Sequence, residues 1–224
     1  MDDNAELHLA VCRRFGEAVA AATGRWDRPS PCDAWDARGV LEHVIGFHDV
    51  LLLRPLGLKP DRPREDPLER WRLTYRSLTE AFTSGVATRL DAYPLIPNLT
   101  RDVLVHTWDL ARAAGADDSL DPEWCERFCV GLPTDSQTLS SGAMFKAPLA
   151  VPAKSDAQTR LLAGLGRDPG GGRAPHRGGN CPLHISVCSS TYSCRPSGPN
   201  SRPMPDCLKP PNGAPMSRVY MLMP

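Results

Sequence analysis

Four segments of this chain repeat apolar residues at the three-to-four-residue spacing of an α-helix, and joints marked by Pro or Gly separate them. In the first, from Ala5 to Ala22, one stripe holds Leu7, Val11, Phe15, Ala18, Val19 and Ala22, and Gly24 marks its stop. The second opens on Asp36 as cap and carries Val40, Leu41, Val44, Ile45, Phe47, Leu51 and Leu52 as far as about Leu53. Gly39 and Gly46 weaken it by ~1 kcal/mol each relative to Ala and let a neighbouring backbone come close. The third begins near Pro67 and places Leu68, Trp71, Tyr75, Leu78 and Phe82 on one face. The fourth, capped by Asn98 or Thr100, runs through DVLVHTWDLARAAG to Gly115. RPSPCDAW and the four-proline run RPLGLKPDRPREDP are connections. A short fifth helix opens on Pro122 and runs to about Leu132; MFKAPLAVP reads as an extended strap and DAQTRLLAGLG as a last helical turn or two. The expected fold is therefore all-α, a four-helix bundle with short additional helices.

From Gly170 the character changes. GGGRAPHRGG opens a stretch crowded with Pro, Gly and Ser that lacks a sustained apolar period. Such a stretch buries too little surface to offset an ordering entropy of roughly 1–2 kcal/mol per residue. The expected organisation is a helical domain over 1–169 and a disordered tail over 170–224. Lys and Arg together number 26, as do Asp and Glu, so formal net charge is zero and gives no reason to expect nucleic acid or an anionic membrane as partner. The balance hides an asymmetry, because six basic residues and one acidic residue lie beyond Pro169, leaving the body acidic. No stretch approaches the roughly 20 apolar residues that span a bilayer, and MDDNAELHLA lacks the basic start of a signal peptide. A cytoplasmic address with reduced thiols follows as the expectation, and the eight cysteines show no CxxC spacing that would suggest a zinc knuckle.

The local pattern richest in chemistry is Asp102-Val-Leu-Val-His106. Side chains four apart on a helix share a face with Cβ atoms about 5–6 Å apart, so a carboxylate and an imidazole so placed can chelate one ion. Apolar Val103, Leu104, Val105, Trp108 and Leu110 surround them, which turns the pair inward or towards the bundle mouth. His43, on the apolar second helix, is the natural third ligand. Two imidazoles and one carboxylate leave a position open for water or a substrate atom; zinc is the first choice, with Ni, Fe(II) or Mn also tolerating the set. The plainer readings are a core histidine at 43 and an acid at 102 that favours the positive end of its helix. Asp109 is placed to orient an imidazole as acceptor, or else to be a helix-surface acid or to pair with Arg112 or Arg101. His48 lies about 140° around the helix from His43 and falls outside the set. His8 reads as a surface residue, Cys32 as a buried thiol that can lie near the metal, and Cys125 with Cys129 as packing residues.

PCDAWDARGVLEHVIGFH followed by DVLVHTWDLARAAG resembles the mycothiol-dependent maleylpyruvate isomerase N-terminal domain family, within the DinB-like metal-binding superfamily. The later GAMFKAPLAVPAKSDAQTRLLAGLGRDP looks like the closing segment of its short, single-domain branch, so the resemblance covers roughly Ala5 to Pro169. It implies a DinB-like bundle of up-down-down-up topology. It also implies a metal held by a His on the second helix and a carboxylate-x-x-x-His pair on a later one, which match His43, Asp102 and His106. Mycothiol as cosubstrate is a further implication, and with it a small-molecule thiol and an electrophile as partners of a monomer or homodimer. The family's isomerases carry a second, α/β domain that contributes to the active site; here the Pro/Gly-rich stretch follows the bundle. Two functions remain in view: a metal-dependent, thiol-using transferase or isomerase, and a non-catalytic bundle whose structural metal serves a ligand-binding or interaction module.

Overall fold

All but one of the described α-helices begin where a side chain takes up unpaired amides of the first turn. The computed structural model describes residues 1–132 and 145–171, all within one compact unit. Helix α1 (Asp3–Ala21) starts where Asp2 accepts from the Ala5 amide, α2 (Ala37–His48) where Asp36 accepts from Gly39, and α3 (Pro67–Thr83) where Asp66 accepts from Glu69. Asp121 and Asp156 do the same for α5 (Pro122–Cys129) and α6 (Ala157–Gly164).

Helix α4 (Ile96–Ala114) has no such cap. It continues directly from a 3-10 turn at Tyr93–Leu95, with Pro97 in its first turn, so it begins ahead of both Asn98 and Thr100. The expected caps are thus interior residues. The Thr100 hydroxyl bonds the Ile96 carbonyl one turn back instead of an exposed amide. Helix α5 stops at Cys129, short of Leu132, because Val130 is extended and Gly131 takes φ 76°. The second apolar segment reaches Leu53 as expected, but its last five residues, Asp49–Leu53, form a π turn.

Among the described residues the regular structure is helical and no strand forms; an isolated bridge joins Pro29 to Asp36. The fold is all-α. Helix α1 packs against α4 and α3, α2 packs against the same two, and α5 pairs with α6. Every residue of α4 from Leu99 to Ala111 is buried. A helix covered on all sides must find partners for each polar side chain it carries, and this one carries Thr100, Arg101, Asp102, His106, Thr107 and Asp109. Those partners define the candidate sites. Among the described residues no helix is long and apolar enough to cross a membrane. The expected tail lies outside the described residues apart from 170 and 171.

Candidate metal centre

The connection Arg28 to Trp35 folds onto itself through Ser30, whose hydroxyl reaches the Trp35 carbonyl at 2.7 Å and accepts from the Cys32 amide at 3.1 Å. This turn delivers Trp35 across the start of α2. A Cβ on Gly39 would stand 2.7 Å from the Trp35 Cβ, so only glycine lets the indole lie there. The close approach is by a side chain rather than a backbone, and Gly46 has nothing within 4 Å. Trp35 then stacks on His43, with ring centroids 4.3 Å apart and planes 18° from parallel. Phe47, one turn along α2, meets the same imidazole edge-on at 5.4 Å.

His43 faces His106 of α4, their rings 5.1 Å apart and nearly perpendicular. The Nε2 atoms of both are buried and have no hydrogen-bond partner. Burial first, and then the neighbouring His106, push the His43 imidazole down to about 3. His106 Nδ1 lies 2.9 Å from Asp109 Oδ2; a carboxylate can only accept, so Nδ1 donates, and in the neutral ring Nε2 presents a lone pair. Burial alone would raise the Asp109 carboxyl. The Arg167 charge and the His106 hydrogen bond outweigh it and hold the group below its ordinary value.

Asp102 lies one turn before His106 and is also buried. Its Oδ1 has no hydrogen bond, although Arg101 Nη2 stands at an ion-pair distance of 3.6 Å. Burial, partly countered by Arg101 and His106, raises its carboxyl. Cys32, buried in the turn, is pushed up to about 11 by burial and by the Asp109 charge, so it rests as a thiol.

Arg167 is the residue that sequence reasoning missed. Its Nε and Nη2 each donate to Asp109 at 2.8 Å, and its guanidinium lies over the Phe145 ring. It replaces Arg112 and Arg101 as the cation of Asp109, because Arg112 turns outward to Asp118 at 3.0 Å and Arg101 neighbours Asp102. Gly166 sets its position: φ is 73°, and a Cβ there would meet the Lys146 backbone at 2.7 Å. Chain distance hid the pair, since 58 residues separate its members.

A second cluster was also missed. His8, expected at the surface, is fully buried, as are Cys12 and His48. Among the described residues, their ligand atoms all lie within 4.8 Å of one another, a group that can hold a metal ion. The signal was present: His8 and Cys12 are four apart, the same spacing as Asp102 and His106.

Removing either half of a buried ion pair strands the other charge, at a cost of about 3–5 kcal/mol. Arg167→Met and Asp109→Asn should each lower the free energy of urea unfolding by that order, and the double variant by clearly less than the sum. Additive losses would contradict the pairing. The buried imidazoles also fix an acid response. His8 and His43 titrate near 3 in the fold and His48 well below its ordinary value, all through burial first, whereas the unfolded chain takes up these protons near 6.5. Below 6.5 the unfolded state binds more protons, so metal-free protein should lose about 1.4 kcal/mol per pH unit for each imidazole. A urea midpoint unchanged between pH 7 and pH 5 would contradict their burial as neutral bases.

Comparison with known proteins agrees with this architecture. Residues 8–111 match the family model described as the mycothiol maleylpyruvate isomerase N-terminal domain. Two uncharacterized proteins of Mycobacterium tuberculosis, from strains CDC 1551 / Oshkosh and ATCC 25618 / H37Rv, are each 29% identical over 184 residues, an alignment spanning 71% of this chain and 97% of theirs. No solved structure matches the chain. Residues 8–111, which hold His43, Asp102, His106 and Asp109, are thus similar to the mycothiol maleylpyruvate isomerase N-terminal domain.

Proposed function

We propose that this chain holds one divalent metal ion, zinc in the first instance, through His43, Asp102 and His106, and acts as a thiol-dependent transferase or isomerase with mycothiol as cosubstrate. The observation that carries the reading is the pair of buried, partnerless Nε2 atoms on facing imidazoles, with the buried Asp102 Oδ1 one turn away. Buried polar atoms without hydrogen-bond partners are rare in folded proteins, and a cation between the facing imidazoles would answer both Nε2 atoms. The donor set of two neutral nitrogens and one carboxylate suits zinc, nickel, iron(II) or manganese. When bound, such an ion supplies Lewis acidity that favours the thiolate of a low-molecular-weight thiol held at its open position.

The chain's own residues prepare that chemistry. Asp109 takes the Nδ1 proton of His106 in a hydrogen bond and so points its Nε2 lone pair at the site. Arg167 neutralises Asp109, which keeps the carboxylate ionised although fully buried. Trp35 and Phe47 wall His43 on two sides and keep it from swinging away. Cys32 stays protonated beside Asp109 and does not compete with an incoming thiolate. An electrophilic small molecule completes the reaction. The family model that residues 8–111 match names maleylpyruvate, which is the candidate for that electrophile.

Thermal unfolding with mycothiol, bacillithiol and glutathione tests this. Mycothiol at a hundredfold excess over its dissociation constant should stabilise the zinc-loaded protein by about 2.7 kcal/mol, and should leave His43→Ala and His106→Ala unmoved. A midpoint indifferent to all three thiols, or a mycothiol shift that survives both substitutions, would contradict thiol use at this centre.

A further inference from the structure

The cluster of His8, Cys12 and His48 sits where the four long helices meet, and its hydrogen-bond geometry turns two ring nitrogens toward each other. His48 Nδ1 lies 2.7 Å from the Val44 carbonyl oxygen. That oxygen can only accept, so Nδ1 carries the proton and Nε2 is bare. His8 Nδ1 lies 2.9 Å from Thr100 Oγ1, and the same hydroxyl stands 2.6 Å from the Ile96 carbonyl. The contact to the carbonyl is the shorter of the two, so Thr100 gives its one proton to Ile96 and accepts from His8. His8 Nε2 is then bare as well. The two bare nitrogens face each other at 3.1 Å. Cys12 Sγ stands 3.6 Å from one and 3.9 Å from the other, and its single S–H can satisfy only one of them.

A metal ion removes the conflict. With metal–nitrogen and metal–sulfur lengths of about 2.0 and 2.3 Å, these separations correspond to ligand angles of roughly 100°, 115° and 130°. Their sum is close to planar, the geometry of three ligands without a fourth. The surroundings agree: Phe82 lies 5.3 Å from the His8 ring, Phe47 4.4 Å and Trp71 6.2 Å from the His48 ring, and all three ligands are shut off from solvent. Val44 and Thr100 orient the two imidazoles from behind, the arrangement that metal-ligating histidines usually show.

We propose that His8 Nε2, Cys12 Sγ and His48 Nε2 form a second, closed, three-coordinate site for a soft d10 cation, the singly charged cuprous ion in preference to zinc. Thiolate and imidazole are soft donors suited to such ions. On binding, the Cys12 S–H bond breaks and its proton leaves to solvent, so the thiolate and a monovalent ion make a neutral unit. Zinc would leave a net positive charge inside a wall of aromatic rings, which burial disfavours. The site shares no ligand with the centre at His43 and stands whether or not that centre is catalytic.

The test uses the full-length chain carrying His43→Ala and His106→Ala, which removes two ligands of the other centre. Protein produced with copper or with zinc supplied is purified anaerobically under reducing conditions. Copper should be retained at about one ion per chain, with one sulfur and two nitrogen neighbours in X-ray absorption. Adding Cys12→Ala should bring copper to background while circular dichroism still reports helix. Thr100→Val, which keeps all three ligands but frees His8 Nδ1, should weaken retention at least tenfold against a copper chelator. Absence of copper, a metal shell without sulfur, or loading by zinc alone would overturn the proposal. In the first case Thr100 gives its proton to His8 and a metal-free hydrogen-bond chain fills the cluster.

Discussion

Asp109 is the group on which the arrangement depends. It is fully buried in the middle of α4, and a carboxylate there is tolerable only because Arg167 meets it with two hydrogen bonds and His106 with a third. One carboxylate thereby does two jobs. It fastens the segment after α6 to the central helix, and it fixes which nitrogen of His106 is free. The same segment is held further by Arg112, which donates to the carbonyls of Pro169 and Gly171, and by Lys146, whose amide bonds the Leu165 carbonyl. The closing segment is therefore part of the site's support as well as of its cover.

Helix α2 supplies one imidazole to each of two clusters. His43 and His48 are five residues apart and point to different sides of the helix, His43 toward His106 of α4 and His48 toward His8 of α1. Each cluster adds a pair spaced four apart on a single helix, Asp102 with His106 and His8 with Cys12. The two differ in what stands behind the imidazoles. His106 is backed by a carboxylate and a guanidinium, which tie it to the charge balance of the closing segment. His8 and His48 are backed by a neutral hydroxyl and a carbonyl, inside aromatic walls. The first environment suits an ion that works on a polar substrate, the second an ion that is enclosed.

Much of this was legible in the sequence. Periodicity located the four long helices, and Asp36, Pro67 and Pro122 marked starts that side-chain hydrogen bonds or proline placement bear out. Asp109 was recognisable as an orienter of His106 because three residues on a helix bring them together. Its cation was not, since Arg167 comes from a distant segment and nearer arginines competed for the assignment. His8 was misread because the stripe was drawn through Leu7, which is only half-buried, whereas packing against α3 and α4 turns the His8 face inward. The start of α4 was misplaced because capping logic sought a polar residue, while a preceding 3-10 turn and Pro97 met the need.

In the proposed centre His43 and His106 hold a metal through nitrogens that the fold leaves without hydrogen bonds. Its most direct measurement is the metal content of untagged full-length protein in a Cys12→Ala background, so that the buried cluster does not contribute. About one ion per chain is expected, lost on adding either His43→Ala or His106→Ala. Near-stoichiometric metal that persists through both substitutions would contradict it.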